Sequence, residues 1–311
     1  MIFRPCAVVP THNHYRELPN VVKALRAHDL TVFVIDDGSS SPAREAIAAL
    51  HAPGDGVQVL RQAVNAGKGG AVIAGLRHAA TAGFSHVVQV DADGQHDLSA
   101  LSTLVQAARD NPGALISGRP VYDVSIPRGR LIARWLTHIW VWIETLSTRI
   151  ADSMCGFRVY PLAETLRVLD HANVGQRMDF DPEIMVRLFW NGVAPIHIPV
   201  RVIYPEGNIS NFRLLQDNWL ISRMHTRLVF SMLFHLPWIL ARRPLMPGRA
   251  AHWANLRERG TRLGMWAVKV CVRLLGRRAA MALVALIAGY FWMVDGPGAP
   301  IRLPICSGSL P

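Results

Sequence analysis

The sequence has few cysteines and few charged residues. Its 311 residues include four scattered cysteines, with no CxxC pair and no histidine at zinc-ligand spacing. This pattern argues against a disulfide framework or a zinc site, and we expect reduced thiols in a cytosolic compartment. Charged residues make up only 18% of the chain, which excludes a charged coiled coil and a low-complexity tail protein.

Acidic residues are scarce in the last third of the chain. Residues 1–200 hold 18 Lys and Arg against 18 Asp and Glu, whereas residues 201–311 hold 15 against 4, so the net charge of +11 arises there. The arginines alternate with Trp, Leu, Phe and Met in long apolar stretches, which is typical of a segment at an anionic membrane surface. We therefore predict that surface as a partner, and we predict no nucleic-acid partner because no base-reading module is present.

No apolar run has both the length and the lack of charge of a usual membrane span. Residues 128–150 have helical spacing and a basic start, but they contain Arg134, Glu144 and Arg149. A core helix and an interfacial helix both remain open for this segment. The run Ala279–Val294 has 16 residues, just below the usual length of a span. The first ten residues are too short for a signal peptide, so we expect no export of the first domain.

Residues 1–120 alternate short β-rich runs with helical runs. The pattern predicts strands over 6–9, 32–35, 57–60 and 87–90, and helices over 18–27, 42–50 and 70–81. This order indicates βαβ units, and therefore an α/β fold with a mainly parallel, Rossmann-like central sheet. Ligands of such sheets bind beyond the carboxyl ends of the strands, where this chain has Gly and acidic residues.

The sharpest motif is a pair of carboxylates after the strand 87–90. Asp91 and Asp93 are two residues apart, so both side chains point the same way and can face one hard cation that also holds a diphosphate. With Gln95 they form an oxygen-only set that suits Mg²⁺ or Mn²⁺ rather than zinc. An isolated DxD is usually a solvated loop, but its position after a buried strand favours a metal site.

Two further motifs follow predicted strands. Asp36 and Asp37 end the second strand, where a carboxylate can accept hydrogen bonds from a nucleobase or a ribose; the alternative is an N-cap cluster before Pro42. The segment NAGKGGA at 65–71 opens a helix, but it lacks the first Gly and the Ser or Thr of a P-loop. Lys68 therefore remains a candidate contact to a phosphate or a sugar.

The acidic segment 178–184 holds the candidates for a general base, Asp181 and Glu183. A hydroxyl acceptor needs such a base, whereas a phosphate acceptor is already anionic and needs none. The alternative is the first turn of a helix, with Asp181 as N-cap and Pro182 at the first helical position.

Six blocks of sequence occur in the order and spacing of a known family. They are VPTHN at 9–13, DDGS at 36–39, NAGKG at 65–69, DADGQH at 91–96, SGR at 117–119 and DSMCGFRVY at 152–160. Together they resemble the inverting family 2 glycosyltransferases of GT-A fold, particularly the dolichol-phosphate mannose synthase-like branch. The resemblance covers about residues 1–225. It implies metal-dependent transfer of a sugar, with inversion, from a UDP- or GDP-sugar to a lipid-linked or membrane-embedded acceptor.

The resemblance also implies roles for single residues. It assigns the nucleotide base and ribose to Pro10, His12 and Asp37. It assigns the metal and the diphosphate to Asp91, Asp93 and Gln95. Contacts to the donor or to an acceptor phosphate are implied for Arg119 and Arg158. Lys68 and Ala92 are further candidates for binding the nucleotide-sugar. In such a site the cation acts as a Lewis acid that neutralises the leaving diphosphate.

The chain departs from the family pattern at several positions. His12, His14 and Cys155 stand where the family usually has Tyr, Glu and Ser. The late basic residues that clamp phosphate in the dolichol enzymes are missing around residues 204–210, which makes a dolichol-type phosphate acceptor questionable. A non-catalytic adaptor that binds nucleotides or lipid headgroups at a membrane surface therefore remains the alternative function.

Four regions are expected along the chain: a catalytic domain over 1–225, an apolar and basic linker over 226–251, a helical membrane-apposed extension over 252–294 and a disordered tail over 295–311. The third region resembles the opening of lipid A lauroyl-acyltransferase-type enzymes, but it has no H-x-x-x-x-D motif. We interpret it as an inactive remnant cut short near residue 295. The expected location is cytoplasmic, peripheral or monotopic on the inner face of the cell membrane.

Overall fold

The computed structural model describes residues 2–121, 128–202 and 213–242. Residues 1–145 and 149–238 form one compact unit, and a second unit of residues 146–148 and 239–311 lies mostly outside the described residues. The predicted helical extension and tail, residues 252–311, also lie outside them and stay predictions.

The elements alternate as the sequence predicts in its first half. The strands are β1 Pro5–Thr11, β2 Thr31–Asp36, β3 Val57–Arg61, β4 His86–Gln89, β5 Leu115–Val121, β6 Arg158–Pro161 and β7 Pro195–Arg201. The α-helices are α1 Leu18–Arg26, α2 Ala43–Ala48, α3 Lys68–Thr81, α4 Leu101–Asp110, α5 Arg128–Thr145, α6 Leu162–His171, α7 Phe180–Trp190 and α8 Leu214–Arg242. Short 3-10 turns cover Pro53–Asp55 and Leu98–Ala100.

The seven strands form one sheet in the order β3-β2-β1-β4-β6-β5-β7. The pairs β1–β2, β2–β3, β1–β4 and β5–β7 are parallel, and β6 runs antiparallel to both β4 and β5. The predicted α/β fold with a mainly parallel sheet is confirmed. The chain order reverses between β1 and β4, and ligands of such sheets bind in the crevice at the carboxyl ends of those strands.

Apolar side chains at strand and helix periods build the core beneath that crevice. In α1 the buried residues Leu18, Val21, Val22 and Leu25 recur at helical spacing, and Pro19 suits the first turn. Helix α3 packs closely on the sheet because Gly75 has no side chain. A Cβ atom there would lie 2.4 Å from Val8 Cγ1 of β1.

Both described cysteines, Cys6 and Cys155, are buried free thiols, as expected for reduced cysteines. Burial raises the pKa of the Cys155 thiol to about 12, so this thiol stays protonated and unreactive at neutral pH.

Helices α5 and α8 show where the expected boundaries differ from the structure. The helix predicted over 128–150 ends at Thr145, and the linker expected from residue 226 is helical up to Arg242. The reason is a buried stripe in α8, with Ile221, Met224, Leu228 and Met232 three or four residues apart, which continues past 225. Among the described residues, no helix is both long enough and apolar enough to cross a membrane.

Candidate active site

The candidate site lies where β1, β2 and β4 end. Thr11 and Asp36 are register partners at the ends of β1 and β2, and β4 ends at Gln89, two residues before Asp91. The topology therefore brings the first four sequence blocks to one edge of the sheet, as the parallel arrangement predicts.

Asp37 organises the loop that precedes α3. Its Oδ1 accepts the backbone N–H of Ala66 at 2.7 Å and its Oδ2 accepts that of Gly67 at 2.8 Å, and the residue is only 2% exposed. The alternative of an N-cap cluster for the next helix is wrong, because α2 follows an N-cap at Pro42 that makes no side-chain cap. Asp37 instead fixes the 65–68 loop, 30 residues along the chain.

His12 lies beside the turn that follows β2 and contains Asp37. Its Nδ1 is 2.9 Å from the carbonyl oxygen of Asp37. The next residue, Asn13, has φ of 61° and donates its backbone N–H to Ser39 Oγ at 2.9 Å. Pro10 is buried within β1 as the register partner of Ile35. The three residues predicted to bind the nucleotide therefore lie at the ends of the adjoining strands β1 and β2. They are Pro10, which is part of the sheet, His12, which is partly exposed, and Asp37.

Lys68, the first residue of α3, carries the ammonium at the centre of the site. Its Nζ lies 2.9 Å from Oδ1 and 2.9 Å from Oδ2 of Asp91, and 2.8 Å from Oδ2 of Asp181. Burial alone would lower the pKa of Lys68, but the two carboxylates outweigh it and hold this pKa above its ordinary value. Lys68 is therefore a permanent cation that joins β4 to α7.

Asp91 and Asp93 differ in their surroundings. Burial would raise the pKa of Asp91, but Lys68 and His96 outweigh it and hold this pKa below its ordinary value. His96 Nε2 lies 3.6 Å from Asp91 Oδ2. From the residues that the structure describes, Asp93 accepts only the backbone N–H of Gln95, at 3.1 Å, and its pKa is raised by burial and by the negative charge of Asp91. A second cation beside this pair would relieve that repulsion.

The residues present fit a divalent metal. Asp91 and Asp93 offer carboxylate oxygens close enough to repel each other, and Gln95 adds an amide oxygen, which is the donor chemistry of Mg²⁺ and Mn²⁺. No cluster of three or more His, Cys, Asp or Glu side chains that could hold a metal occurs in the described residues. Such a site with one or two carboxylates is typical of a cation that also binds substrate phosphates.

Arg158 occupies the interior of the fold. It is 0% exposed, donates from Nη1 to the carbonyl of Asp181 at 2.7 Å, and donates from Nη2 to the carbonyl of Ser153 at 2.6 Å. Tyr160 and Gln89 extend this network towards Asp181, through Tyr160 Oη to Gln89 Oε1 at 3.1 Å and Gln89 Nε2 to Asp181 Oδ1 at 3.4 Å. Arg158 therefore positions Asp181 and the 152–155 loop, and it offers no exposed surface to a phosphate.

Arg119 is exposed near the carboxyl end of β5. Arg134 forms a bidentate ion pair with Asp152, in which Nε lies 2.6 Å from Oδ2 and Nη2 lies 2.7 Å from Oδ1. Asp152 Oδ1 also accepts the backbone N–H groups of Met154 and Cys155, at 2.9 and 2.8 Å. Burial would raise the pKa of Asp152, but His138 and Arg134 outweigh it and hold this pKa below its ordinary value.

Sequence reasoning missed Arg134 and Asp152 as a pair. Asp152 opens the sixth sequence block, and Arg134 belongs to the basic start of α5. No local sequence pattern predicts a contact between residues 18 positions apart. Their contact ties α5 to the loop that packs on Asp91.

The two candidates for a general base fall in different places. Helix α7 begins at Phe180 after an N-cap at Asp179, so the prediction of Asp181 as N-cap is wrong by two residues. Asp181 faces Lys68. Glu183 is 0% exposed and fully engaged, with Arg187 Nε at 2.7 Å, the Gly175 N–H at 2.9 Å and Arg227 as partners.

Comparisons with known proteins find relatives of this chain. The model of the family described as "Glycosyl transferase family 2" matches residues 6–166. The undecaprenyl-phosphate mannosyltransferase of Micrococcus luteus is 29% identical over 209 residues, which cover 65% of this chain and 85% of that protein. The polyprenol monophosphomannose synthase of Mycolicibacterium smegmatis is 28% identical over 222 residues, which cover 67% and 80%.

A solved structure shares the fold. Glucosyl-3-phosphoglycerate synthase from Mycobacterium tuberculosis, in complex with Mn²⁺ and UDP-glucose, aligns with a TM-score of 0.51 at 18% identity. The alignment covers 74% of this chain and 79% of that chain. The predicted GT-A architecture is thereby confirmed. The acyltransferase-like resemblance of residues 252–294 stays a prediction.

Proposed function

This chain belongs to glycosyl transferase family 2, and we propose that it transfers a sugar from a UDP- or GDP-sugar to a polyprenyl phosphate, with a divalent metal and inversion of the anomeric centre. The observation that carries the proposal is the Asp91–Asp93 pair at the end of β4, beside the loop that Asp37 organises. A carboxylate pair can hold the cation, and the neighbouring loop can hold the nucleoside diphosphate that binds the same cation.

The donor half of the reaction rests on the residues at the strand ends. Asp91, Asp93 and Gln95 would hold Mg²⁺ or Mn²⁺, which supplies Lewis-acid stabilisation of the diphosphate leaving group. Asp37 keeps the 65–68 loop in one conformation through its two backbone hydrogen bonds. That loop presents Lys68 to the same site, and His12 flanks the expected position of the nucleoside.

The class of acceptor is inferred from the partners of the two candidate bases, Asp181 and Glu183. Asp181 is held by Lys68 at 2.8 Å and Glu183 is saturated by two arginines and a backbone N–H. Neither is free to take a proton from a hydroxyl, and a phosphate acceptor needs no such base. The names of the two relatives, which are polyprenol-phosphate enzymes, support the same choice. Exposed Arg119 is the candidate contact to the acceptor phosphate.

The test is transfer of labelled sugar by the purified full chain. UDP- and GDP-sugars are each offered with polyprenyl phosphate or with the matching polyprenol, with and without Mn²⁺. We expect product only with the phosphate acceptor and the metal. Product from the polyprenol would contradict the acceptor class. Binding of neither UDP nor GDP by a folded sample, measured by calorimetry with Mn²⁺, would favour the adaptor alternative.

The location is proposed to be peripheral, on the inner face of the cell membrane. Large apolar side chains are exposed on α5, with Trp135 at 52% and Trp140 at 45%. Others are exposed on α8, with Trp219 at 68% and Phe234 at 87%. The two helices adjoin, because His225 of α8 lies 2.7 Å from Glu144 of α5. Tryptophan and phenylalanine on adjoining helices suit the headgroup layer of a membrane.

Flotation with vesicles that contain phosphatidylglycerol tests this location. Replacing Trp219 and Phe234 with Ala should release the full chain from the vesicles. The control is Ile2→Ala, which truncates an apolar side chain that is 87% exposed outside α5 and α8 and should leave binding unchanged. Equal binding of the double variant and the wild type would contradict the proposed surface.

A further inference from the structure

Lys68 is placed by backbone contacts on both of its sides. Before it, Asp37 holds the N–H groups of Ala66 and Gly67. After it, the Gly70 N–H donates to the carbonyl of Gln176 at 2.9 Å. Gly69 packs on Phe180 so closely that a Cβ atom would lie 2.4 Å from Phe180 Cβ. The fold therefore fixes the backbone of Lys68, and the side chain places the ammonium between Asp91 and Asp181.

At that point the ammonium covers the metal-facing carboxylate. Lys68 Nζ lies at 2.9 Å from both oxygens of Asp91, so neither oxygen is free of a positive charge. Asp91 Oδ1 is buried and makes no hydrogen bond to any residue that the structure describes. A divalent cation that binds either oxygen must accept a like charge beside it, or that charge must move away.

We propose that Lys68 competes with the divalent cation for Asp91, so that the protein binds the metal weakly until a nucleoside diphosphate arrives. The proposal rests on the proposed function, because it takes Asp91 as a metal ligand. Lys68 is a positioning residue in this scheme. Its charge makes tight binding of the metal depend on binding of the nucleoside diphosphate.

Asp181 makes the exchange feasible. Lys68 Nζ is also 2.8 Å from Asp181 Oδ2, so the ammonium keeps an ionised partner when it releases Asp91. The network of Gln89 and Arg158 holds Asp181 in place. The negative charge of a diphosphate would then offset both the metal and the ammonium, and metal and nucleotide would each favour binding of the other.

The experiment measures Mn²⁺ binding to the full chain by electron paramagnetic resonance, without nucleotide and then with UDP or GDP. Lys68→Met removes the charge. We expect its Mn²⁺ affinity without nucleotide to rise about tenfold above wild type, because a like charge has been removed next to the metal. Lys68→Arg keeps the charge and should bind as weakly as the wild type. Lys23→Met, on the exposed side of α1, is the matched control and should change nothing.

The outcomes separate this proposal from the proposed function. Equal or lower Mn²⁺ affinity in Lys68→Met overturns the competition, because a merely structural lysine gives no gain on removal. Failure of the wild type to bind Mn²⁺ even with UDP or GDP contradicts the metal site itself. If Lys68→Met does not fold, as judged by circular dichroism, Lys68→Gln replaces it. If neither folds, Asp181→Asn should bind Mn²⁺ more weakly than wild type, and an unchanged affinity overturns the proposal.

Discussion

Gly156 lies so close to Asp91 that a Cβ atom on Gly156 would stand 2.4 Å from Asp91 Oδ2. The sixth sequence block therefore forms one wall of the carboxylate site. Asp91 has little room to give way, because Lys68 and His96 contact it as well. Glycine is required here by space and not by a left-handed backbone.

Gly156→Ala should displace Asp91 and weaken both Mn²⁺ binding and sugar transfer by at least about tenfold, with a loss of stability of about 1–3 kcal/mol from overpacking. Calorimetric titration with Mn²⁺ and UDP or GDP, together with urea denaturation, checks both effects. Gly113→Ala is the control, since nothing lies within 4 Å of a Cβ there. Wild-type metal affinity in Gly156→Ala would show that Asp91 does not depend on this wall.

Asp91 and Asp93 should respond to neutralisation in opposite ways in the metal-free protein. Asp93→Asn removes a buried charge and its repulsion by Asp91, the two effects that raise the pKa of Asp93, so we expect a higher melting temperature. Asp91→Asn deprives Lys68 and His96 of their partner, so we expect a lower one. Both variants should lose turnover. Destabilisation by Asp93→Asn as large as that by Asp91→Asn would mean that Asp93 has a structural partner.

The first four strands could be predicted because their apolar runs end in Gly and acidic residues. The antiparallel strand β6 could not, since its four residues, RVYP, are all buried and show no alternation. Helix α3 begins at Lys68, two residues before the predicted start. Two glycines in its first turn disfavour a helix by propensity, but Asp37 holds the loop just before it.

The site could be predicted only as far as local spacing reaches. The Asp91, Asp93 and Gln95 set follows from a strand period of two. Asp37 was expected at a nucleotide, but its hydrogen bonds to Ala66 and Gly67 depend on the meeting of two loops. The local sequence also indicates Glu183 as a base, but the side chain is paired with Arg227, 44 residues away. Side chains satisfied by distant residues leave no trace in local sequence.

Glu183 should matter for folding more than for the rate. Glu183→Gln leaves Arg187 and Arg227 without their buried partner, which costs about 3–5 kcal/mol. The rate per folded molecule should stay within about threefold, whereas loss of a general base costs roughly 10²-fold or more. Thermal melts and rates corrected for folded fraction check this. Arg227→Met, which removes a side chain that is 44% exposed, should destabilise less. A 10²-fold slower folded Glu183→Gln would restore the base assignment.

Glu144 should make the protein less stable as the pH rises. Burial raises the pKa of Glu144 to about 7 despite the contact with His225. Since this value lies above the ordinary one, the stabilisation is complete below about pH 4.5 and is lost as the pH passes through about 7. The loss is on the order of 3 kcal/mol. Urea denaturation should show a flatter dependence between pH 5 and pH 8 for Glu144→Gln, and the exposed Glu17→Gln should follow the wild type. Parallel curves for all three would contradict the assignment.

His197 should make the protein less stable as the pH falls, which is the opposite of the pH dependence expected from Glu144. Burial lowers the pKa of His197 to about 4, and the charges of Arg158 and Arg119 add to this although Asp152 opposes it. The neutral ring accepts the Ala151 N–H at Nε2, at 3.1 Å.

Protonation of His197 removes that acceptor and adds a buried charge. Because the folded pKa lies below the ordinary one, the stabilisation is present above about pH 6.5 and is lost as the pH falls through about 4. Unfolding free energies measured by urea at pH 7 and pH 4.5 should therefore fall less for His197→Gln, whose amide oxygen can accept the same N–H, than for the wild type. His171→Gln replaces an exposed histidine and should lose as much stability as the wild type. If His197→Gln loses as much as well, the pKa of His197 is the same in the folded and the unfolded protein, and burial does not hold the ring neutral as the pH falls to 4.5.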